Sequence, residues 1–225
     1  MIRGREHPSF VAPPVVLHGK RVTMRALTGA DWLQWQDVRA RNHDWLTPWE
    51  PQRPANLLDP TRDKEAFIAR CGARDRDRQA GIAYGFGLFV GERLAGEINL
   101  NGIVRGAQQC GTIGYWIDRE LAGNRYVAEG VVTVLRYAFE NLHLHRVEIC
   151  IVPRNHNSRR VVEVLRIRDE GVALRFLEIN GTWEDHVRYA ITAEEWAERR
   201  AELRHPPAAV RRQRLRQQLA GAPES

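Results

Sequence analysis

Apolar and polar positions alternate with period two over residues 15–27, where Val22, Met24 and Ala26 fall on one face and Arg21, Thr23 and Arg25 on the other. That pattern predicts a strand. Thr28 and Asp31 then stand at helix N-cap positions ahead of Trp32, Trp35 and Val38, which predicts a helix ending near Asn42. Prolines 48 and 51 exclude a long helix in the segment that follows. A second amphipathic helix is predicted over 61–78, closing on an alternating charge run at 74–78 that reads as a solvated face. Two strands, 83–90 and 93–104, flank the tight turn Gly91-Glu92, and a third covers 111–118.

Helical period returns at 126–142, with Val127, Val131, Val134, Leu135 and Ala138 on one face. Residues 146–152 form a strand with Val147, Ile149 and Ile151 inward, and 155–165 a short helix. A final hairpin, 172–179 and 187–191, is joined through a connection that opens at Asn180-Gly181. A last helix over 192–204 stops before Pro206-Pro207. This order predicts an α/β (α+β) class with a mixed sheet, helices on both faces and no internal repeat. One domain spans 15–204, between a mobile arm at 1–14 and a basic tail at 205–225.

The 225 residues suffice for one such domain, and 43% hydrophobic with 28% charged residues is ordinary for a soluble globular chain. No apolar run spans a bilayer and the first residues lack a signal-peptide core, so a cytoplasmic location is expected and no membrane partner. Cys71, Cys110 and Cys150 are widely spaced and form no CxxC pair, against a disulfide framework or a zinc site; they read as buried, inert thiols. The net charge of +6 resides almost wholly in arginine and favours polyanionic partners, whether nucleic acid, ribosome or a phosphate-rich cofactor.

Candidate chemistry concentrates where the strand Gly114-Tyr115-Trp116-Ile117 feeds the turn Ala122-Gly123-Asn124-Arg125 and the helix opening Tyr126-Val127-Ala128. Backbone N–H groups at a helix N-terminus suit an anion such as a pyrophosphate, although a glycine there also serves ordinary turn chemistry. Downstream stand Leu144-His145-Arg146-Val147-Glu148, Asn155-His156-Asn157-Ser158-Arg159-Arg160-Val161, and Glu178-Ile179-Asn180-Gly181-Thr182-Trp183-Glu184-Asp185-His186-Val187, preceded by Trp45-Leu46-Thr47-Pro48-Trp49-Glu50-Pro51. In this order, over about residues 15–198, these landmarks resemble those of the GNAT acetyltransferases, and within them the Rim-type ribosomal-protein alanine N-acetyltransferases.

The resemblance implies a GNAT fold with a largely antiparallel central sheet, and acetyl-CoA as co-substrate with no metal. It implies transfer to the N-terminal α-amine of a protein, ribosomal by analogy, through direct attack in a ternary complex. By the same resemblance Trp116, Ile117 and Asp118 make backbone contacts to pantetheine, with a bulge N–H near 116–117 polarising the carbonyl. Residues Gly123, Asn124, Arg125, Tyr126, Val127 and Ala128 hold the pyrophosphate, and Asn155 bonds the pantetheine amides. Residues 155–167 contain no tyrosine to protonate the leaving thiolate, and Ser158 takes the acid role; an N-cap or first-turn hydroxyl of that helix is the alternative. Glu97 is the candidate base, with Glu178 a second carboxylate and a solvated strand position the alternative for Glu97. Trp45 and Trp49 either line the acceptor site or cap the core. His143 and His145, at a helix-to-strand junction, read as packing or carbonyl-binding residues.

Two departures from the family pattern stand out. Arg125 and Val127 occupy places that are usually glycine or small, and Arg166 stands where a left-handed helix terminator is expected, at a cost of about 1 kcal/mol. Two other functions fit the same residues. One is a small-molecule N-acetyltransferase for a polyamine, amino sugar or antibiotic amine; the other is a GNAT-like protein that binds without catalysis. The arginine cluster at 211–216 is either a ribosomal-RNA contact or a solvated helix, and monomer and homodimer remain equally open.

Overall fold

A computed structural model of the chain describes residues 13–204 apart from residue 55. The basic tail, with its proposed RNA contact, and all of the N-terminal arm but residues 13 and 14 lie outside that range.

The predicted first strand is two strands. β1 (Val16–His18) and β2 (Thr23–Arg25) pair antiparallel around a turn in which the Gly19 amide donates to the Val22 carbonyl at 2.9 Å. The turn makes Leu17 and Met24 cross-strand partners, so both enter one core. A continuous strand could not bring them face to face.

Thr28 and Asp31 cap a 3₁₀ turn (Gly29–Asp31) that runs into the next helix, not that helix itself: the Asp31 carboxylate accepts the Thr28 amide at 2.8 Å and the Arg25 guanidinium at 2.7 and 2.8 Å. α1 is Trp32–Arg41. The proline-limited segment forms a single turn, α2 (His43–Leu46), and then a 3₁₀ turn, Thr47–Trp49. α3 (Lys64–Gln79) begins where the Asp63 side chain accepts the Ala66 amide.

β3 (Tyr84–Val90), β4 (Arg93–Val104) and β5 (Cys110–Ile117) make an antiparallel meander. After α4 (Tyr126–Glu140), β6 (Arg146–Ile151) joins β5 in parallel, the one parallel pairing among the described strands. α5 (His156–Val164) leads to the hairpin β7 (Arg168–Ile179) and β8 (Thr182–Thr192), and α6 (Ala193–Arg204) follows. The eight strands lie in the order β1-β2-β3-β4-β5-β6-β8-β7.

Two cores lie on opposite faces of the sheet. Val131, Val134, Leu135 and Ala138 of α4 are fully enclosed against Met24, Leu88, Ile98 and Leu100. On the other face Trp35 of α1 and Phe67 of α3 pack with Leu27, Phe89 and Leu94. Burying a side chain of this size contributes about 2 kcal/mol, so the two layers dominate the stabilisation of the sheet. At the centre, a Cβ on Gly96 would lie 2.1 Å from the Trp116 carbonyl oxygen. Only glycine permits that approach of β4 to β5.

Candidate active site

β5 and β6 diverge. Their ladder runs only from Cys110↔Arg146 through Thr112↔Glu148, after which residues 113–117 and 149–151 have no partner across the gap. The wedge opens toward the end of β5 that feeds α4 and the end of β6 that feeds α5. Three features predicted from separate parts of the sequence thereby reach one place: the Trp116–Ile117 strand end, the α4 N-terminus and the α5 N-terminus.

At the α4 entrance Gly123 has φ 82° and Arg125 adopts φ 65°, ψ 14°. Arg125 thus takes the left-handed conformation that the sequence pattern reserves for glycine, and it does so as the N-cap residue. The amides of Tyr126, Val127 and Ala128 follow in the first turn, where no intrahelical acceptor exists. Their dipoles and the Arg125 guanidinium, which has no ion-pair partner among the described residues, make this corner cationic. Val127 and Ala128 are buried beneath it, and Asn124 ties the turn by donating to the Leu121 carbonyl at 3.2 Å.

At the α5 entrance the Asn155 Oδ1 accepts the Ser158 amide at 3.1 Å, so Asn155 is the helix cap. Ser158 stands in the first turn of α5, one of the two places its structural alternative allowed, and its Oγ donates to the phenol oxygen of Tyr115 at 3.1 Å. That phenol in turn donates to the Ser158 carbonyl at 3.0 Å. Loss of water contact pushes the Tyr115 phenol above the usual tyrosine range, against the lowering effect of the Ser158 bond, and it stays protonated. Tyr115 was not legible as a partner of Ser158. Alternation along β5 places it on the face of Ile113 and Ile117, but only the return of α5 brings the two together.

Glu97 is neither solvated nor a free base. Its side chain is wholly enclosed, taking Trp35 Nε1 at 2.5 Å, Arg70 at 2.7 and 2.8 Å and Arg74 at 2.5 Å. Burial alone would raise its pKa; the two guanidinium groups and the indole reverse that and hold it at about 2. A carboxylate so saturated has little basicity to offer.

Asp118 is also corrected. Its amide donates to the Ala95 carbonyl at 2.7 Å, so that donor is not free for pantetheine, while its carbonyl accepts from Leu121 at 2.9 Å. Its buried carboxylate holds Arg41, Asn42 and Arg93 together. The expected bulge at 116–117 is absent as well, because the β4–β5 register is unbroken from Gly96↔Ile117 to Asn101↔Thr112 and shifts only beyond Asn101. Trp116 and Ile117 do lie at the wedge edge, but the Ile117 carbonyl already accepts Trp45 Nε1 at 3.2 Å.

That bond belongs to a strap. Residues 43–51 cross from α1 to the final hairpin, where the Asn180 amide donates to the Glu50 carbonyl at 2.8 Å. Arg39 pairs with Glu50 and lies 5.3 Å from the Trp116 ring centroid. Arg119 covers Trp45 at 5.6 Å and Arg154 covers Trp49 at 4.9 Å. The two tryptophans of the strap therefore present guanidinium-covered faces beside the end of β5.

The remaining candidates are peripheral. His145 Nε2 lies 3.1 Å from the Glu194 carboxylate, and His143 is a left-handed turn residue at φ 52°. Glu178 sits at the β7–β8 turn opposite Trp183. Of the three cysteines expected to be buried, only Cys110 is; Cys71 and Cys150 are partly exposed, and desolvation still raises the pKa of all three thiols, that of Cys150 to about 11. Among the described residues no group of three metal-ligating side chains converges, and no helix is long and apolar enough to cross a membrane.

The chain is similar to known proteins in sequence and fold. The family described as the acetyltransferase (GNAT) domain matches residues 21–168. The chain is 33% identical over 178 residues to the probable N-acetyltransferase YjcK of Bacillus subtilis, covering 78% of this chain and 96% of that protein. It is 31% identical over 186 residues to the [ribosomal protein uS5]-alanine N-acetyltransferase of Escherichia coli, covering 82% and 94%. Mycobacterium smegmatis RimJ, solved in complex with CoA-disulfide, superposes with a TM-score of 0.73 at 27% identity, covering 84% of this chain and 91% of that one. The splayed β5–β6 pair, the cationic α4 entrance and these matches together establish that the chain belongs to the GNAT family of acetyltransferases.

Proposed function

We propose that this acetyltransferase uses acetyl-CoA to acetylate the N-terminal α-amine of a protein, a ribosomal protein being the first candidate. The observation that supports this most is the convergence of the β5–β6 wedge, the α4 N-terminus and Ser158 in one cleft. The E. coli relative named for alanine N-acetylation of ribosomal protein uS5 supports the choice of acceptor.

The residues present fit the donor. The open edge of β5 at Trp116 and Ile117 suits an extended amide-bearing arm, and the Gly123–Ala128 turn suits a pyrophosphate, with Arg125 adding a charge-assisted contact in place of a closely approaching glycine backbone. Asn155 retains its Nδ2 donor for the same arm while Oδ1 caps α5. When bound, acetyl-CoA supplies an acyl group activated as a thioester.

The acceptor amine needs no buried carboxylate base. An α-amine has a pKa of about 8, so a useful fraction is neutral near pH 7, and water can take the proton released after attack. Ser158, held at the first turn of α5, protonates the departing thiolate. The raised pKa of each cysteine disfavours an acyl-cysteine intermediate and supports direct attack. Guanidinium groups over Trp45 and Trp49 make the strap side of the cleft a poor place for a polycationic polyamine or aminoglycoside and a tolerable one for a peptide.

The test is acetylation of a panel of free and N-terminally blocked peptides, Ala- and Ser-initiated ribosomal sequences included, read by mass spectrometry beside polyamines and aminoglycosides. Acetyl groups on free α-amines alone are expected. Turnover of the small polyamines with every peptide untouched would overturn the assignment.

A further inference from the structure

The reciprocal bonds between Tyr115 and Ser158 go beyond packing. The two residues are 43 positions apart, one on β5 and the other in the first turn of α5, and they sit on either side of the wedge. In the resting site the Ser158 hydroxyl proton points at Tyr115 Oη (3.1 Å), and the phenol proton points at the Ser158 carbonyl (3.0 Å). With Oγ and the phenol oxygen 3.1 Å apart, the Ser158 hydroxyl has to turn away from Tyr115 to serve a sulfur atom.

We propose that Tyr115 is the positioning residue for Ser158, exchanging its hydrogen bonds with it as the thioester breaks. This rests on the assignment of Ser158 as the acid. As the C–S bond of the tetrahedral intermediate breaks, its electron pair goes to sulfur and the Ser158 Oγ proton follows. The phenol proton turns from the Ser158 carbonyl to Ser158 Oγ, so the oxygen that gives up its proton gains a donor. The proton released by the acceptor nitrogen then restores the serine through water, and the phenol returns to the carbonyl. A serine hydroxyl is a weak acid, and a donor already within hydrogen-bond distance stabilises its anionic character without reorganising solvent. Burial keeps the phenol protonated across the working pH range, so the donor is always present.

Tyr115→Phe, Ser158→Ala and the double variant are measured as full-length proteins, with kcat, the KM for acetyl-CoA and melting temperature for each. Tyr115→Phe is expected to lower kcat about tenfold, near the value of one charge-assisted hydrogen bond, with KM for acetyl-CoA within about twofold of wild type. In the Ser158→Ala background the same change is expected to have no further effect on kcat. If Ser158→Ala is impaired and Tyr115→Phe is not, the proposal fails while the acid assignment stands. If Tyr115→Phe is as costly without Ser158 as with it, the phenol supports only the fold, and the proposal fails again. If Ser158→Ala retains full turnover, the acid assignment falls first and the role of Tyr115 goes with it. Should Tyr115→Phe not fold, 3-fluorotyrosine at 115 preserves shape and lowers the phenol pKa. The stronger donor is expected to change kcat at neutral pH when Ser158 is present and not in the Ser158→Ala background, and an equal response in both backgrounds, or in neither, would overturn the proposal.

Discussion

Trp45 Nε1 donates to the Ile117 carbonyl at 3.2 Å across 72 residues of sequence, tying the strap to the end of β5 where the wedge opens. The bond fixes one end of the strap; the Asn180–Glu50 backbone bond fixes the other. On the proposed function the acceptor passes this strap, and the indole N–H is its hydrogen bond to the end of β5. Trp45→Phe keeps the ring and removes the donor, with a net loss of about 1 kcal/mol. The expected result is a fall of about fivefold in kcat/KM for the acceptor peptide, with KM for acetyl-CoA nearly unchanged. Steady-state kinetics on both substrates checks it, and an unaltered acceptor kcat/KM would separate the strap from acceptor binding.

Glu97 makes a pH-dependent contribution whose sign follows from its depressed pKa. Its carboxyl ionises at about 2 in the folded chain against an ordinary value of 4.5. The unfolded chain therefore takes up the proton first as pH falls. The stabilisation is complete above the unfolded value and drains away as pH drops toward the folded one. Glu97→Gln leaves Arg70 and Arg74 without their shared anion and is expected to destabilise the fold by about 3 kcal/mol at neutral pH. Melting temperatures between about pH 6 and about pH 3 should show a shallower acid slope for the variant than for the wild type.

Arg125→Gly separates backbone strain from phosphate recognition. Relief of the left-handed conformation is worth about 1 kcal/mol, and the greater freedom of glycine in the unfolded chain offsets most of it. Melting is thus expected to stay near wild type. Loss of the guanidinium is expected to weaken acetyl-CoA binding about tenfold, the scale of one charge-assisted hydrogen bond. Calorimetry decides: tighter binding by the glycine variant would mean that Arg125 obstructs the turn.

Gly96→Ala probes the close contact of β4 with β5. The added methyl carbon would meet the Trp116 carbonyl oxygen at 2.1 Å, and both partners are backbone in the middle of a sheet. A destabilisation of about 3 kcal/mol is expected, with turnover lost beyond what unfolding explains because Trp116 lines the wedge. Thermal melting and kcat on the folded fraction test the two parts.

Periodicity and caps located the elements well wherever local chemistry decides the backbone. Thr28 and Asp31 cap the 3₁₀ turn that opens into α1, Gly91-Glu92 turns β3 into β4, and Asn180 and Gly181, both at positive φ, turn β7 into β8, which begins at Thr182 rather than at the expected 187. Arg166 at φ 50° ends α5 as the sequence pattern required. The first strand was misread because Gly19 interrupts an alternation that continues on both sides of its turn.

The family and fold class were thus written in the sequence itself, since strand ends, glycine turns and helix caps are local signals, and their order along the chain is the family's. The partners of buried polar groups were not. Whether Glu97 faces water or two arginines depends on α1 and α3 reaching β4 from 23 to 62 residues away, which hydroxyl meets Ser158 depends on α5 returning to β5 across 43 residues, and whether the Asp118 amide is free depends on its pairing with Ala95 of β4. A hydrogen bond needs its atoms within a few tenths of an ångström of the right distance, and only the packing of both cores sets positions that finely.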